Sequence, residues 1–471
     1  MRRFVRLIPL LLVQGAPASL TQTPERPNVL LISIDDLNDW VGVLGGHPQA
    51  RTPHIDALAE RGVLFANAHC QAPVCTPSRA SLFTGRLPTT TGMYFLQPPL
   101  AEVEGLQGVT TLTQRFEAEG YVTLGAGKLY HGSGEEQRFQ VYGGGLGGFG
   151  PRPEPKLHYP EGHPLWDWGP WPETDAEMPD TRIADWAIER LGEERTSPFF
   201  LAVGFWRPHV PMCVPERWFD LHPVQRVLLP EVLADDRGDL SPYATALTIG
   251  HPAPRHEWML EHDQWLAAVR AYLASSSFVD HQVGRVLTAL AESRYASNTI
   301  VVLFSDHGFH LGEKERWAKR SLWEDATRVP LVIAVPGRDP RVSERPVGLL
   351  DIYPTLLELC GLETDEGLEG RSLVPLMDDP RRDWPWPAIT TFGPGNHALR
   401  TTRWRYIRYR DGSEELYDHD ADEHEWRNLA GDPRFEPLLV EYRRWLPERE
   451  APLLQGSESA GRTAWRAAEK L

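Results

Sequence analysis

The 471-residue chain has only four cysteines, Cys70, Cys75, Cys213 and Cys360. That count excludes a disulfide-dense scaffold, in which closely spaced bridges replace a hydrophobic core. If Cys75 is put to chemical use, at most one bridge can form among the other three. Positive charge is also short. Against 65 Asp and Glu stand 48 Lys and Arg, for a formal net charge of −17. No basic stripe is visible, which argues against a nucleic-acid partner. An anionic substrate would meet overall repulsion and would need a locally basic site. Beyond the N-terminus no apolar run is long enough for a membrane helix, so no membrane span is expected.

One short apolar run does occur, in "MRRFVRLIPLLLVQGAPAS". Arg2, Arg3 and Arg6 precede Leu7 to Val13, and Ala16 and Ala18 supply small residues for cleavage. This pattern predicts a signal peptide over 1–18 and a secreted or periplasmic protein.

A chain of this length can bury a large core and suggests two domains. Short apolar runs at Val29–Ile34, Tyr121–Leu124, Phe199–Val203, Ile300–Phe304 and Leu331–Val335 read as buried parallel strands. Helical patterns lie between or after them, at Ile55–Arg61, Thr181–Gly192, Trp265–Arg294 and Ile352–Leu359. Such alternation predicts an α/β fold: a large, mixed, mostly parallel sheet flanked by helices. Residues 143–179 are rich in Gly, Pro and Trp and read as a long ordered loop, a kind that is often functional. After about residue 382 the runs alternate, and Arg410-Asp411-Gly412-Ser413 reads as a hairpin turn. We therefore expect a catalytic domain over 26–382. A smaller antiparallel α+β subdomain over 383–471 follows, closed by a helix around Glu436–Leu446.

The stretch "APVCTPSRASLFTGR" is legible as a helix, with Thr76 as N-cap, Pro77 at the first helical position and Gly85 as the stop. Cys75 then stands just before the cap, where unpaired N–H groups and the helix dipole favour an anion. Two carboxylate clusters end predicted strands: Asp35 and Asp36 in "NVLLISIDDLND", and Asp306 with His307 in "NTIVVLFSDHGFH". Each pair alone could be a cap or a solvated loop. In an open parallel sheet both belong on the carboxyl edge, where ligands bind. Three carboxylates gathered there need a cation, and hard oxygen donors suggest Ca2+, with Mg2+ the weaker choice. Further polar residues follow strands towards the same edge: Lys128 and His131, Arg207 and His209, and the basic run Lys314, Arg316, Lys319 and Arg320. Singly these would read as surface residues. Together they supply the positive field that the chain otherwise lacks.

Cys75-Thr76-Pro77-Ser78-Arg79, continued by "ASLFTGR", resembles the signature of the type I sulfatases, C-x-P-S-R-x-x-L-x-T-G. The resemblance covers most of the chain and includes "GKLYH", "SDHGFHLGEKERWAK" and "DIYPTLLELCGL". Asp306-His307 and the "WAK" stretch are most similar to the iduronate-2-sulfatase-like branch. The resemblance implies an alkaline-phosphatase/sulfatase-like fold and hydrolysis of sulfate esters, with a sulfated carbohydrate as substrate. It also implies that a formylglycine-generating enzyme oxidises Cys75 to formylglycine. Asp35, Asp36, Asp306, His307 and modified Cys75 would bind Ca2+. By the same resemblance, one hydroxyl of the aldehyde hydrate attacks sulfur and the second later expels sulfate. Arg79 and Lys128 would hold the hydrate, His131 would deprotonate it, and Lys319 and His209 would grip the sulfate. His209 would also protonate the leaving oxygen. Ser78 and Pro77 would serve recognition and helix initiation.

Two other readings share these residues. One is a phosphate or phosphonate ester hydrolase of the same superfamily. The other is a glycan-binding pseudoenzyme with unmodified Cys75, stacking sugars on Trp166, Trp168 and Trp171. A thiolate zinc site is disfavoured, because no second cysteine lies at metal-ligand spacing.

Overall fold

A computed structural model describes residues 26–132, 134, 136–249 and 252–471, so the expected signal segment 1–18 lies outside the described residues. Eight strands form the main sheet: β1 (Asn28–Asp35), β2 (Val63–Phe65), β3 (Val122–Gly127), β4 (Val141–Tyr142), β5 (Phe199–Pro208), β6 (Thr299–Ser305), β7 (Leu331–Ala334) and β8 (Arg341–Ser343). Their order is β8-β2-β7-β6-β1-β5-β3-β4. Every residue of β1 is buried, which explains why its sequence is apolar throughout instead of alternating: helices cover both faces. Val29 and Leu31 pack on one side with Leu82 and Phe83 of α2 (Cys75–Thr84) and Ile352 and Leu356 of α5 (Ile352–Leu359). Leu30, Ile32 and Ile34 face the other side. There they meet Ile55 of α1 (Pro53–Ala59), Ile183 and Ala187 of α3 (Pro179–Gly192), and Val279 and Val283 of α4 (Trp265–Glu292).

The expected alternation holds for β1, β3, β5 and β6, which run parallel. The run at Leu331–Val335 was expected to be parallel as well, and it is not. β7 is antiparallel to both β6 and β2, with Leu331 opposite Phe304. The reason lies in the connection. No long crossover helix returns the chain to the far edge between Ser305 and Leu331, so the intervening residues stay at the carboxyl edge. An antiparallel return needs no crossover. That segment carries Asp306, His307 and Lys319.

The expected loop at 143–179 is mostly irregular, but Trp168–Pro170 pairs in parallel with Met212–Val214. Asp167 staples it by accepting from the backbone N–H groups of Leu157 and His158 at 2.8 and 2.9 Å. The C-terminal part forms an antiparallel sheet of β9 (Ala388–Thr391), β10 (His397–Arg400), β11 (Trp404–Arg408) and β12 (Glu414–Asp418). The turn at 410–413 joins β11 to β12, and helix α6 (Glu436–Arg443) follows.

β3 and β5 approach very closely where β3 ends. A Cβ on Gly127, whose φ is +81°, would lie 2.1 Å from the Gly204 carbonyl oxygen. One on Gly204 would lie 2.0 Å from the Lys128 carbonyl oxygen, and the Lys128 N–H donates to the Gly204 carbonyl at 2.8 Å. Glycine at both positions is what lets Lys128 leave β3 pointing along the site. Gly204→Ala should lower unfolding free energy by about 1–3 kcal/mol, the range for an overpacked core. Urea denaturation checks this, and an unchanged midpoint would show that the strands can part without loss.

Candidate active site

Cys75 lies within the first turn of α2, not before its cap. The N-cap is Val74, in extended conformation, and Pro77 is the third helical residue. Thr76 was expected to cap the helix. Its hydroxyl instead donates to the Leu96 carbonyl at 3.0 Å, so it is not free to take a helix N–H. Gly85 ends the helix as expected, with φ +65°. All ten residues of α2 are buried. Four residues apart on one face, Cys75 and Arg79 point together at the ends of β1 and β6.

Four ligand atoms, one each from Asp35, Asp36, Cys75 and His307, lie within 4.8 Å of one another. The Cys75 sulfur is 3.2 Å from His307 Nε2 and 3.7 Å from both Asp35 Oδ1 and Lys128 Nζ. Asp306 abuts this group. Its Oδ2 accepts from Arg79 Nε at 2.8 Å and its Oδ1 from the Asp36 N–H at 3.2 Å. The three carboxylates are fully buried, and the charges that balance them come from elsewhere in the fold. Lys128 Nζ contacts Asp35 Oδ2, and Lys319 Nζ donates to Asp36 Oδ1 at 2.6 Å.

Burial pushes the Asp35 carboxyl up, but Lys128, His209, Arg79 and Lys319 overrule it and leave it well below the usual range. Burial prevails at Asp36, aided by the Asp35 charge, and lifts it to about 7. Asp36 Oδ2 has no hydrogen-bond partner. The residue also holds a left-handed backbone, φ +65°, which is uncommon for anything but glycine. Its carbonyl accepts from the Tyr272 hydroxyl at 2.7 Å, which fixes the turn. A buried carboxylate oxygen without a donor, beside an imidazole and two further carboxylates, fits a divalent cation.

His131 Nδ1 is buried without a partner, and burial followed by Lys128 brings the ring down to about 3. It is therefore a neutral base. Burial and then Lys319 lower His209 well below its usual value as well. Its Nδ1 lies 2.6 Å from the Val210 carbonyl, which can only accept, so Nε2, 3.7 Å from Asp36 Oδ2, is the bare nitrogen. The 143–179 loop braces that ring, with Phe149 tilted against His209 at 4.8 Å between centroids and 39° between planes. Among the described residues, all ten sequence-predicted site residues fall at this edge.

The basic residues divide. Arg207 is spent on the carbonyls of Cys213 and Phe149, at 3.1 and 2.9 Å. Lys314 pairs with Asp236 at 2.8 Å, and Arg316 donates to the backbone carbonyls of Thr248, Lys319 and Arg320. Arg320 differs. It is buried, its Nε and Nη1 have no partner, and it is near enough to Cys75 and Asp36 to feel their charge. Desolvation lowers it to about 10. Trp166 and Trp168 are core residues, packed with Met178 and Met212, and offer no sugar platform; Trp171 is exposed. Tyr272, 236 residues from Asp36 in sequence, had no recognisable signal, being one aromatic on an amphipathic helix.

Comparison with known proteins matches residues 27–362 to the family described as Sulfatase. Residues 312–451 match the C-terminal family of N-sulphoglucosamine sulphohydrolase. A protein named Sulfatase from Formosa agariphila is 41% identical over 443 residues, covering 91% of this chain and 87% of its own. Homo sapiens iduronate 2-sulfatase is 31% identical, covering 89% and 79%. A solved structure described as a 2-O GAG sulfatase superposes with a TM-score of 0.69 at 25% identity, covering 90% and 91%.

If Asp36 is a ligand, Asp36→Asn should weaken Ca2+ binding. Loss of an outer-shell partner alone weakens metal binding about 10–100-fold, and a direct ligand should matter no less. The rise in melting temperature that Ca2+ confers on a native-state binder should shrink with it. Calorimetric titration and thermal melts check both, and unchanged affinity would remove Asp36 from the ligand set.

Proposed function

Since the chain belongs to the sulfatase family, and is a type I sulfatase by its signature, we propose that it hydrolyses sulfate esters of a sulfated sugar or glycan using formylglycine made from Cys75 and a Ca2+ ion. The observation that carries this reading is the position of the Cys75 side chain. It sits at the focus of Asp35, His307 and Lys128, with Asp36, Asp306 and Lys319 around it. A formylglycine-generating enzyme would be the maturation partner, and the N-terminal segment supports a secreted or periplasmic location. Among the described residues no helix is long and apolar enough to cross a membrane.

Asp35, Asp36, Asp306 and His307 would hold the cation. Bound there, Ca2+ would acidify a hydroxyl presented to sulfur and draw charge from the sulfate oxygens, and an aldehyde hydrate at position 75 would supply that hydroxyl and a second one. The chain's own side chains do the rest. Arg79, locked on Asp306 and near Asp35 at 3.6 Å, keeps the carboxylates in place. Lys128 Nζ, 3.7 Å from the Cys75 sulfur, faces the negative charge that develops at that position. His131, being neutral, takes the proton of the second hydroxyl. Lys319 reaches the sulfate from its seat on Asp36, and Arg320 adds a guanidinium with unused donors. Together they make a positive locus in a chain of net charge −17. His209 Nε2, bare in the free site, would take up a proton as the anionic ester binds and then pass it to the departing sugar oxygen.

Replacing Cys75 by Ala should abolish sulfate release. In the wild type, peptide mass should show –CH2SH replaced by –CHO at this position. Retained turnover in the variant would end the formylglycine reading.

His209 and Lys319 should separate by leaving group. His209→Ala should slow a sugar sulfate by about 10²–10⁴-fold, the range for general acid catalysis. Nitrophenyl sulfate should be slowed much less, because nitrophenolate departs without a proton. Lys319→Ala should slow both substrates alike. Equal losses on both substrates for His209→Ala would make His209 a sulfate ligand instead.

A further inference from the structure

A second group of ligating side chains lies outside the Cys75 site. His310, Glu313 and Asp325 each bring one ligand atom within 4.8 Å of the others. Glu313 and Asp325 line a cleft of about 650 Å3, which gives an ion a way in. We propose that these three residues bind a second divalent cation, of the mixed nitrogen-and-oxygen preference typical of Mn2+ or Zn2+.

His310 points to the ligand. Its ring is fully buried, and its Nε2 lies 2.7 Å from Ser321 Oγ. Nδ1 has no hydrogen-bond partner, although Asp325 Oδ2 is only 3.5 Å away. Imidazole nitrogen and carboxylate oxygen thus approach without sharing a proton, as two ligands of one ion do. The Ser321 contact fixes the far nitrogen, the usual arrangement for a ligating histidine. Glu313 commits Oε2 to the Leu311 N–H at 2.6 Å, which leaves its other oxygen for an ion.

Charge balance points the same way. Among the described residues neither Glu313 nor Asp325 pairs with a Lys or Arg, and Asp39 adds to the negative field while it is itself paired with Arg328 at 3.1 Å. A neighbouring trio on the same cleft, Glu324, His419 and Glu425, makes the contrast. It is neutralised by Arg400 and Arg405, at 3.1 Å from Glu324 and 2.5 Å from Glu425 respectively, so it has no call for an ion. One imidazole with two carboxylates suits Mn2+ or Zn2+ better than Ca2+, which prefers oxygen alone. The ligands lie at the two ends of 310–325, so the ion would brace the segment that carries Lys319. It would share no ligand with the Cys75 site.

The test is a Mn2+ titration of the chelator-stripped full chain, with free Mn2+ read by electron paramagnetic resonance. Wild type should take up two ions per chain. Asp36→Asn should take up one, and so should Glu313→Gln and Asp325→Asn, each with wild-type circular dichroism. Two variants at the new site guard against one that fails to fold. In the Asp36→Asn background the remaining Mn2+ should show nitrogen coupling, and His310→Gln should remove it. A single ion in wild type, or two that survive both Glu313→Gln and Asp325→Asn, would overturn the proposal. So would a remaining ion whose nitrogen coupling survives His310→Gln.

Discussion

Repulsion among Asp35, Asp36 and Asp306 is the constraint from which much of this architecture follows. Adjacent parallel strands deliver all three to one fully buried spot. Like charges a few ångströms apart interact by several kcal/mol even at an effective dielectric near 20. Three separate elements bring the compensating charges. Arg79 requires a helix buried on every side. Lys128 requires two strands to touch backbone to backbone at Gly127 and Gly204. Lys319 requires a contorted segment in which Ala318 and Arg320, on either side of it, both have positive φ, +70° and +73°. Left-handed conformations cost about 1–2 kcal/mol for residues with a Cβ. The surrounding packing sustains that strain to hold an ammonium against Asp36.

Local chemistry made part of this legible from sequence. Apolar runs ending in carboxylates announce strands that carry charge to a sheet edge, and both clusters lie where that logic puts them. The helix after Cys75 was equally plain. Features decided by distant partners were not. Thr76 has the chemistry of a cap, yet a carbonyl twenty residues away claims its hydroxyl. β7 has the composition of a parallel strand, and only the absence of a crossover reverses it. Trp166 and Trp168 look like sugar platforms in a Gly- and Pro-rich stretch, but that stretch has a core of its own. Within the run 314–320, sequence could not tell which cations are consumed by carbonyls and carboxylates and which remain for a ligand.

The 143–179 loop shows how an irregular segment can act as scaffold. Asp167 ties its backbone, Phe149 backs the His209 ring, and the Phe149 carbonyl anchors Arg207, which in turn holds the strand end beside His209. A histidine at the end of a strand would otherwise sweep through several rotamers. Here the Phe149 ring packed against it and the Val210 carbonyl on Nδ1 leave it one orientation.

The burial of Cys75 has a consequence in time. With 2% of its surface exposed, in a helix that is covered on all sides, the thiol is out of reach of any second protein once the sheet has closed. On the proposed reading, an enzyme that oxidises Cys75 would have to reach it while the chain is still emerging or still open. Folding would then set a deadline for that maturation. A molecule that packed α2 first would be sealed with an ordinary cysteine at its centre, folded but without its nucleophile. The proportion of active molecules in any preparation would then record a race between two rates, fixed before the protein was complete.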